Sequence, residues 1–378
     1  MVDATTKILN YLQTNEQEIL QDLEEFVKKE SPSRDKALVD ECGHYLQELF
    51  QKHLDVTPEV FTEKEVGNHL KFTIGDGEKQ ILIIGHFDTV WEKGRLSYRV
   101  EGNKAYGPGI LDMKGGMVQA IWAVKAIREL GMSMNKKIVF LCNSDEEIGS
   151  IHSRKYIEEE ARKSEVALVA EAAVAKTGAL KTARKGVGIF KLKVWGRAAH
   201  SGNHHHDGIS AIEELARQTI FLQELTDYEK GSTVNVGVVK GGTGSNVVPE
   251  YAEADIDLRI SSLEEAERVS ALILGLKPIL DGTKIEVTGE VNRPPMERTE
   301  EIGKLFHTAQ VIASELGFEL DEAAVGGGSD GNFTAALGIP TLDGLGCEGE
   351  GLHAENEHVL INTLSKRAAL LANLLLRI

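Results

Sequence analysis

Apolar residues at Ile8, Leu12, Ile19, Leu23 and Phe26 recur at helical spacing, and Leu38, Cys42, Tyr45, Leu46 and Leu49 repeat the pattern beyond Pro32. This spacing predicts two amphipathic helices over residues 1 to about 55. The pattern then shortens. K-F-T-I and Q-I-L-I-I-G-H are compact apolar runs, the second continuous enough for a strand buried on both faces. A helix from about Gly115 to Leu130, the run K-I-V-F-L-C, a helix around residues 150 to 163 and the run V-A-L-V-A-E continue the alternation. Strands alternating with helices predict an α/β layer with a mostly parallel sheet.

The rhythm changes near residue 182. Strand Gly188–Trp195, helix Ile209–Leu225, strands Thr233–Val239 and Tyr251–Ile260, helix Leu263–Leu274 and strand Lys284–Val291 follow in order. That β-α-β-β-α-β sequence is a compact, ferredoxin-like unit able to fold as a lobe of its own. Ser262 with Glu265 three residues on reads as a capping box for its second helix. After R-P-P at 293–295 the α/β pattern resumes, with a helix from about Glu300 to Leu316 and a last apolar helix near residues 360 to 377. The chain therefore divides into residues 1–181, an inserted lobe at 182–293, and a return at 294–378.

Composition narrows the function. A 378-residue chain is long for one core, so two domains are expected. A net charge of −17 argues against nucleic acid or an anionic membrane as partner. The start M-V-D-A-T-T-K-I-L-N lacks a signal peptide's apolar stretch. No run reaches the roughly 18 apolar residues of a membrane span. Three widely separated cysteines, Cys42, Cys142 and Cys347, do not form a disulfide framework, and Cys142 reads as core. A reducing cytoplasm is the expected location.

The chemistry lies at the strand ends. His86 and Asp88 follow I-L-I-I-G, Glu146 and Glu147 follow I-V-F-L-C-N-S-D, and Glu171 ends V-A-L-V-A. In open α/β sheets, ligands collect beyond the carboxyl ends of the strands. Asp112 lies in the glycine-punctuated Y-G-P-G-I-L-D-M-K-G-G, and His353 follows the inserted lobe. Singly each residue has a plainer reading: a loop histidine, a turn aspartate, or a solvated helix start for Glu146-Glu147. Their combination outweighs those plainer readings. His86, Asp112, Glu147, Glu171 and His353 are five potential ligands, enough with one bridging carboxylate for two ions of the zinc type. Glu146 is left over as a base. Asp88, two residues from His86, is placed to accept from its second ring nitrogen. The run G-G-G-S-D-G at 326–331 fits G-x-G-x-x-G, but F-E-L-D-E-A-A-V before it is a poor strand, so a tight loop beside the active site is the better reading. The triple His204-His205-His206 reads as a polar lid loop.

The segments G-H-F-D-T-V-W, G-P-G-I-L-D-M-K-G-G, S-D-E-E-I-G-S, A-E-A, G-R-A-A-H-S-G, S-N-V-V-P with D-L-R-I, R-P-P, G-G-G-S-D-G and G-L-H-A occur in this order over nearly the whole chain. Together they resemble the aminoacylase/glutamate carboxypeptidase family of di-zinc metallopeptidases, and within it the carboxypeptidase G (glutamate carboxypeptidase) branch. The resemblance implies two Zn2+ per chain, with Co2+ or Mn2+ as substitutes. Asp112 would bridge both ions, His86 and Glu171 would complete one site, and Glu147 and His353 the other. Asp88 would orient His86, and Glu146 would be the general base for attack by a metal-bridging water. The inserted lobe would be a lid and dimerisation domain, its His200 reaching the partner's active site in a homodimer. Asn246, Arg259 and Arg293 would contact a small peptide or N-acyl amino acid. A cis peptide is implied at Asp112-Met113. The implied reaction is hydrolysis of an amide next to a free carboxylate, releasing a C-terminal amino acid, glutamate first among them. The alternative is an N-acyl-amino-acid deacylase or dipeptidase on the same metals. A non-enzymatic binding protein is disfavoured by the intact ligand set.

Overall fold

Gln80–His86 forms a strand whose seven residues are all buried, as expected where helices cover both faces of a sheet. In a computed structural model describing residues 2–378, it pairs in parallel with Lys137–Asn143 and Val166–Val169. Thr341–Leu342 adds a parallel strand beside Val166–Val169. His69–Ile74 and Glu59–Phe61 extend the other edge antiparallel. The six-stranded sheet is thus mostly parallel, and the parallel strands deliver their carboxyl ends to one edge. Helices Gly115–Glu129 and Leu364–Arg377 are buried over most of their lengths and belong to its main core.

The N-terminal helix expected through Ile8 and Phe26 is two helices, Val2–Thr14 and Glu16–Lys28. The break is at Asn15, whose Nδ2 donates to the Tyr11 carbonyl at 2.7 Å. An Asn side chain that bonds the local backbone competes with the helix. The apolar spacing hides this because Ile8, Leu12, Ile19, Leu23 and Phe26 all enter one core. Lys36–Leu54 is the third helix of the segment.

Two units share the chain. One comprises Met1–Ala183, Arg298–Ala324 and Ser329–Ile378; the other comprises Arg184–Glu297 and Val325–Gly328. The inserted unit therefore extends past residue 293 and takes in a later segment that the sequence reading left in the α/β domain. Hydrogen bonds hold that segment: Lys185 N–H donates to the Val325 carbonyl at 3.0 Å, and Arg184 Nη1 donates to those of Gly327 and Gly328 at 3.0 and 3.3 Å. Glu322–Val325, read as a poor strand, is a strand.

In the inserted unit an antiparallel sheet runs in the order Thr233–Gly241, Tyr251–Ile260, Gly186–Trp195, Lys284–Arg293. With helices Ala211–Glu224 and Leu263–Leu274 this is the β-α-β-β-α-β, ferredoxin-like arrangement. Strict alternation builds it: Ala252, Ala254, Ile256, Leu258 and Ile260 are buried against Phe190, Leu192, Leu215 and Val269. Ser262 accepts the Glu265 N–H at 3.3 Å. The capping box is only half formed, because the Glu265 carboxylate instead takes Ser232 Oγ at 2.7 Å and Arg268.

Candidate metal centre

His86 closes its strand, Glu171 lies two residues beyond the strand ending at Val169, and Glu146–Ile148 is a short turn after Asn143. Asp112 arrives from another direction, in the turn Ile110–Lys114 that enters helix Gly115–Glu129. Its bond to Met113 is cis. Gly109 before it has φ 69°, a left-handed conformation that glycine adopts without strain, and a side chain there would collide with Thr89. A side chain at Gly116 would strike the Ala170 carbonyl, so this glycine lets the helix start lie against the chain entering Glu171.

The two oxygens of Asp112 face two histidines. Oδ1 is 3.2 Å from His86 Nε2, and Oδ2 is 3.1 Å from His353 Nε2. Glu171 Oε1 lies 3.5 Å from His86 Nε2, and Glu147 Oε2 lies 3.2 Å from His353 Nε2. His86, Glu146 and Glu171 also place one ligand atom each within 4.8 Å of one another. All six residues from three strand ends, the Asp112 turn and the His353 turn therefore converge. His86 is fully enclosed while half of His353 is exposed, so the site opens on the His353 side.

The charges of these groups suit a cation. Burial would depress His86, yet the carboxylates of Asp112, Asp88 and Glu171 raise it well above the usual imidazole range. Hydrogen bonds to Asp112 and Glu147 raise His353 to about 10. Burial pushes Glu147 up to about 7, aided by the negative charges of Asp112 and Asp88 against the pull of its His353 bond. Asp112 moves the other way: despite its burial, His353 and His86 hold it below the ordinary carboxylate range. A metal that displaced the imidazole protons would relieve the same excess of negative charge. Glu147 Oε1, buried and without a hydrogen-bond partner, is a further oxygen open to a metal. Two imidazoles and three carboxylates form the nitrogen and oxygen set that zinc accepts. The residues fit.

The surrounding contacts depart from expectation in one respect. His86 Nδ1 lies 3.0 Å from the main-chain carbonyl of Asp88, and 3.4 Å from its Oδ1. A carbonyl only accepts, so Nδ1 carries the proton and Nε2 is the nitrogen offered to a metal. The Asp88 carboxylate turns instead to the N–H groups of Glu146 and Glu147, at 3.2 and 3.3 Å. Asp330, from the G-G-G-S-D-G run, accepts Ser150 Oγ at 2.5 Å and the Asn143 amide, bracing the same turn. Glu357, which the sequence reading missed, is buried beneath the Asp112 turn. A cavity of about 380 Å3 lined by Pro32, Ser33, Arg34, Thr89, Val90, Glu92, Glu147 and Ile148 opens beside Glu147.

The remaining candidates belong to the inserted unit. His200 is exposed, and its Nδ1 accepts the N–H groups of Gly202 and Asn203 at 3.1 Å, which leaves Nε2 as its donor. Its short strand pairs with Val247–Val248, beside Asn246, whose carbonyl accepts the Ser201 N–H. Arg259 is forked onto Asp257 at 2.9 and 3.0 Å. Arg293 is buried at the end of its strand. The triple histidine forms an exposed turn with Asp207.

A second group with metal-ligand spacing, Glu18, Asp22 and His53, was not anticipated. Lys52 Nζ already sits 2.8 Å from Asp22 Oδ1, while His53 Nε2 and Trp122 Nε1 meet Oδ2 at 2.7 and 2.9 Å. It ties three helices together. No helix among the described residues is long and apolar enough to cross a membrane.

Residues 82–377 match the peptidase family M20/M25/M40. The chain is 30% identical over 367 residues to carboxypeptidase G2 of Pseudomonas sp. (strain RS-16), covering 95% of this chain and 88% of that protein. It is 27% identical to succinyl-diaminopimelate desuccinylase of Rickettsia typhi, with 88% and 94% covered. Its fold matches the M20 family metallo-carboxypeptidase Sso-CP2 of Sulfolobus solfataricus at a TM-score of 0.75, with 21% identity and 95% and 98% covered. It matches aminopeptidase PepT of Bacillus cereus at 0.78, with 23% identity and 96% and 98% covered. The acidic cradle at the strand ends thus sits in a chain that belongs to the M20/M25/M40 peptidase family, a metallopeptidase-type hydrolase.

Proposed function

We propose that this enzyme hydrolyses an amide bond next to a free carboxylate and releases a C-terminal amino acid, glutamate being the first to test. The observation that carries the reading is Asp112, whose two oxygens face His86 and His353 at 3.2 and 3.1 Å. One carboxylate shared between two imidazole-bearing sites suits a pair of ions, His86 and Glu171 completing one and Glu147 and His353 the other. Zinc in such a pair supplies Lewis acidity and lowers the pKa of a bound water from 15.7 to about 7. The chain's own groups do the rest. Glu146, beside His86 and Glu171, takes a proton from the attacking water and passes it to the leaving amine. Asp88 holds the backbone of Glu146 and Glu147 in place for this. His200 Nε2 serves as a donor to the developing oxyanion, and Asn246, Arg259 and Arg293 are the groups for the substrate's free carboxylate. Arg259 would exchange its Asp257 partner for that carboxylate. A homodimer through the inserted unit completes the reading, with the exposed apolar side chains of Phe221, Leu272 and Ile279 on that unit as the residues for the contact.

A second reading, an N-acyl-amino-acid deacylase, is favoured by the desuccinylase relatives. One panel separates the two: peptides and N-acyl amino acids ending in glutamate, against N-succinyl and N-acetyl derivatives of basic and neutral amino acids, each with and without zinc. A higher kcat/KM for glutamate-terminated substrates across several acyl groups supports the carboxypeptidase. A preference that follows the acyl group whatever the amine side overturns it.

A further inference from the structure

Glu357 is 1% exposed and lies four residues after His353. A buried carboxylate must find donors, and this one finds four. Oε1 accepts the N–H groups of Leu111 at 2.9 Å and Asp112 at 3.1 Å; Oε2 accepts Trp91 Nε1 at 2.6 Å and the Gly109 N–H at 3.2 Å. Three of the four are main-chain amides of the single turn that presents Asp112. The same residue closes the turn of His353, because its own N–H bonds the Ala354 carbonyl at 2.9 Å and the Ala354 N–H bonds that of Gly351. His353 itself has φ 58°, which a non-glycine residue holds only where its surroundings impose it. One side chain therefore joins the two turns whose side chains meet at Asp112 Oδ2 and His353 Nε2.

We propose that Glu357 is a positioning residue of the metal centre: its carboxylate gathers the amides of the Asp112 turn and locks that turn to the turn bearing His353. The proposal rests on the reading of Asp112 as the carboxylate shared by two ions. Glu357 touches neither substrate nor reacting atoms. It acts by fixing where the two oxygens of Asp112 point, and outer groups that orient ligands in this way set metal affinity. A glutamine is the informative replacement. It keeps the shape and two acceptor contacts, but turns an NH2 group toward two N–H donors. A glutamate that merely filled space would tolerate it.

The test compares zinc affinity, by chelator competition, with the melting temperature of the metal-free protein for wild type, Glu357→Gln and Trp91→Phe. Wild type should bind two zinc per chain; fewer would overturn the shared-carboxylate reading and this proposal with it. With two bound in wild type, Glu357→Gln should weaken zinc binding by about 10- to 100-fold in protein that remains folded. Amide hydrogen exchange at Leu111 and Asp112 should quicken in the metal-free variant. Zinc affinity within twofold of wild type, with only the melting temperature lowered, would overturn the positioning role and leave the metal reading standing. Should Glu357→Gln not fold, Trp91→Phe decides: removing one of four donors should weaken zinc binding measurably with the fold retained, and an unchanged affinity overturns the proposal.

Discussion

Asp88 and Glu147 are joined through the main chain: Asp88 Oδ2 accepts the Glu147 N–H at 3.3 Å, while Oδ1 accepts that of Glu146 at 3.2 Å. A carboxylate just past one strand thus sets the backbone of the turn after its neighbour. Asp88→Asn keeps the shape but opposes an NH2 group to one of those N–H donors. Zinc affinity should fall by about 10- to 100-fold, with kcat falling beside it. Chelator competition and steady-state kinetics on the same preparation check this. A loss of kcat with metal affinity untouched would place Asp88 elsewhere in the mechanism.

Glu146→Gln keeps size and hydrogen bonding but cannot accept a proton. The expected outcome is a kcat lower by about 10²–10⁴, with zinc content unchanged by elemental analysis. Near-normal turnover would remove Glu146 from the role of base.

Glu147→Ala removes a carboxylate that meets His353 at 3.2 Å and carries a buried, unpartnered oxygen. Zinc content should drop from two toward one per chain after desalting. A variant that still holds two ions would show that Glu147 is not a ligand.

How much of this was legible in the sequence follows from what each residue has to do. His86, Asp112, Glu147, Glu171 and His353 stood out because strand ends and glycine-rich turns are where chemistry-bearing side chains gather, and the folded chain does bring them together. Glu357 did not stand out. An acidic residue in A-E-N-E-H reads as a solvated loop charge, and nothing local reveals that Gly109, Leu111 and Asp112 donate to it from about 245 positions away. Asp22 was hidden for the same reason, its partners His53 and Trp122 being supplied by other helices. The break at Asn15 was invisible because apolar period reports which face is buried, not whether the helix is continuous.

His69 offers a test of stability against pH. It is fully buried; its Nδ1 accepts the Ser144 N–H at 3.2 Å, and Nε2 has no hydrogen-bond partner. Burial depresses it to about 4, against the opposing charges of Glu63 and Asp88. The unfolded chain binds this proton near pH 6.5 and the folded chain does not until about 4. Stability therefore falls as pH drops through that window, by about 3 kcal/mol from this group, and is unaffected above it. Urea unfolding of metal-free protein between pH 7 and 4.5 should show a shallower loss for His69→Gln than for wild type. Parallel curves would mean that His69 does not carry the effect.

The last expectation concerns the dimer. His200 lies in the inserted unit and is exposed there, with Nε2 left as its donor. A twofold dimer presents the same surface on both chains, so each could lend its histidine to the other. Glu146→Ala and His200→Ala, each inactive alone, are mixed in equal amounts under conditions that exchange subunits. In a mixed dimer, the chain bearing His200→Ala still owns Glu146 and receives His200 from its partner, so that one site works. The other site lacks both groups. Random exchange makes half of the dimers mixed with half of their sites complete, so about a quarter of wild-type activity should return. If His200 instead acts within its own chain, no mixed dimer contains a complete site. Activity that stays at the baseline of the separate variants, with exchange verified by mass-tagged subunits, would rule the shared site out.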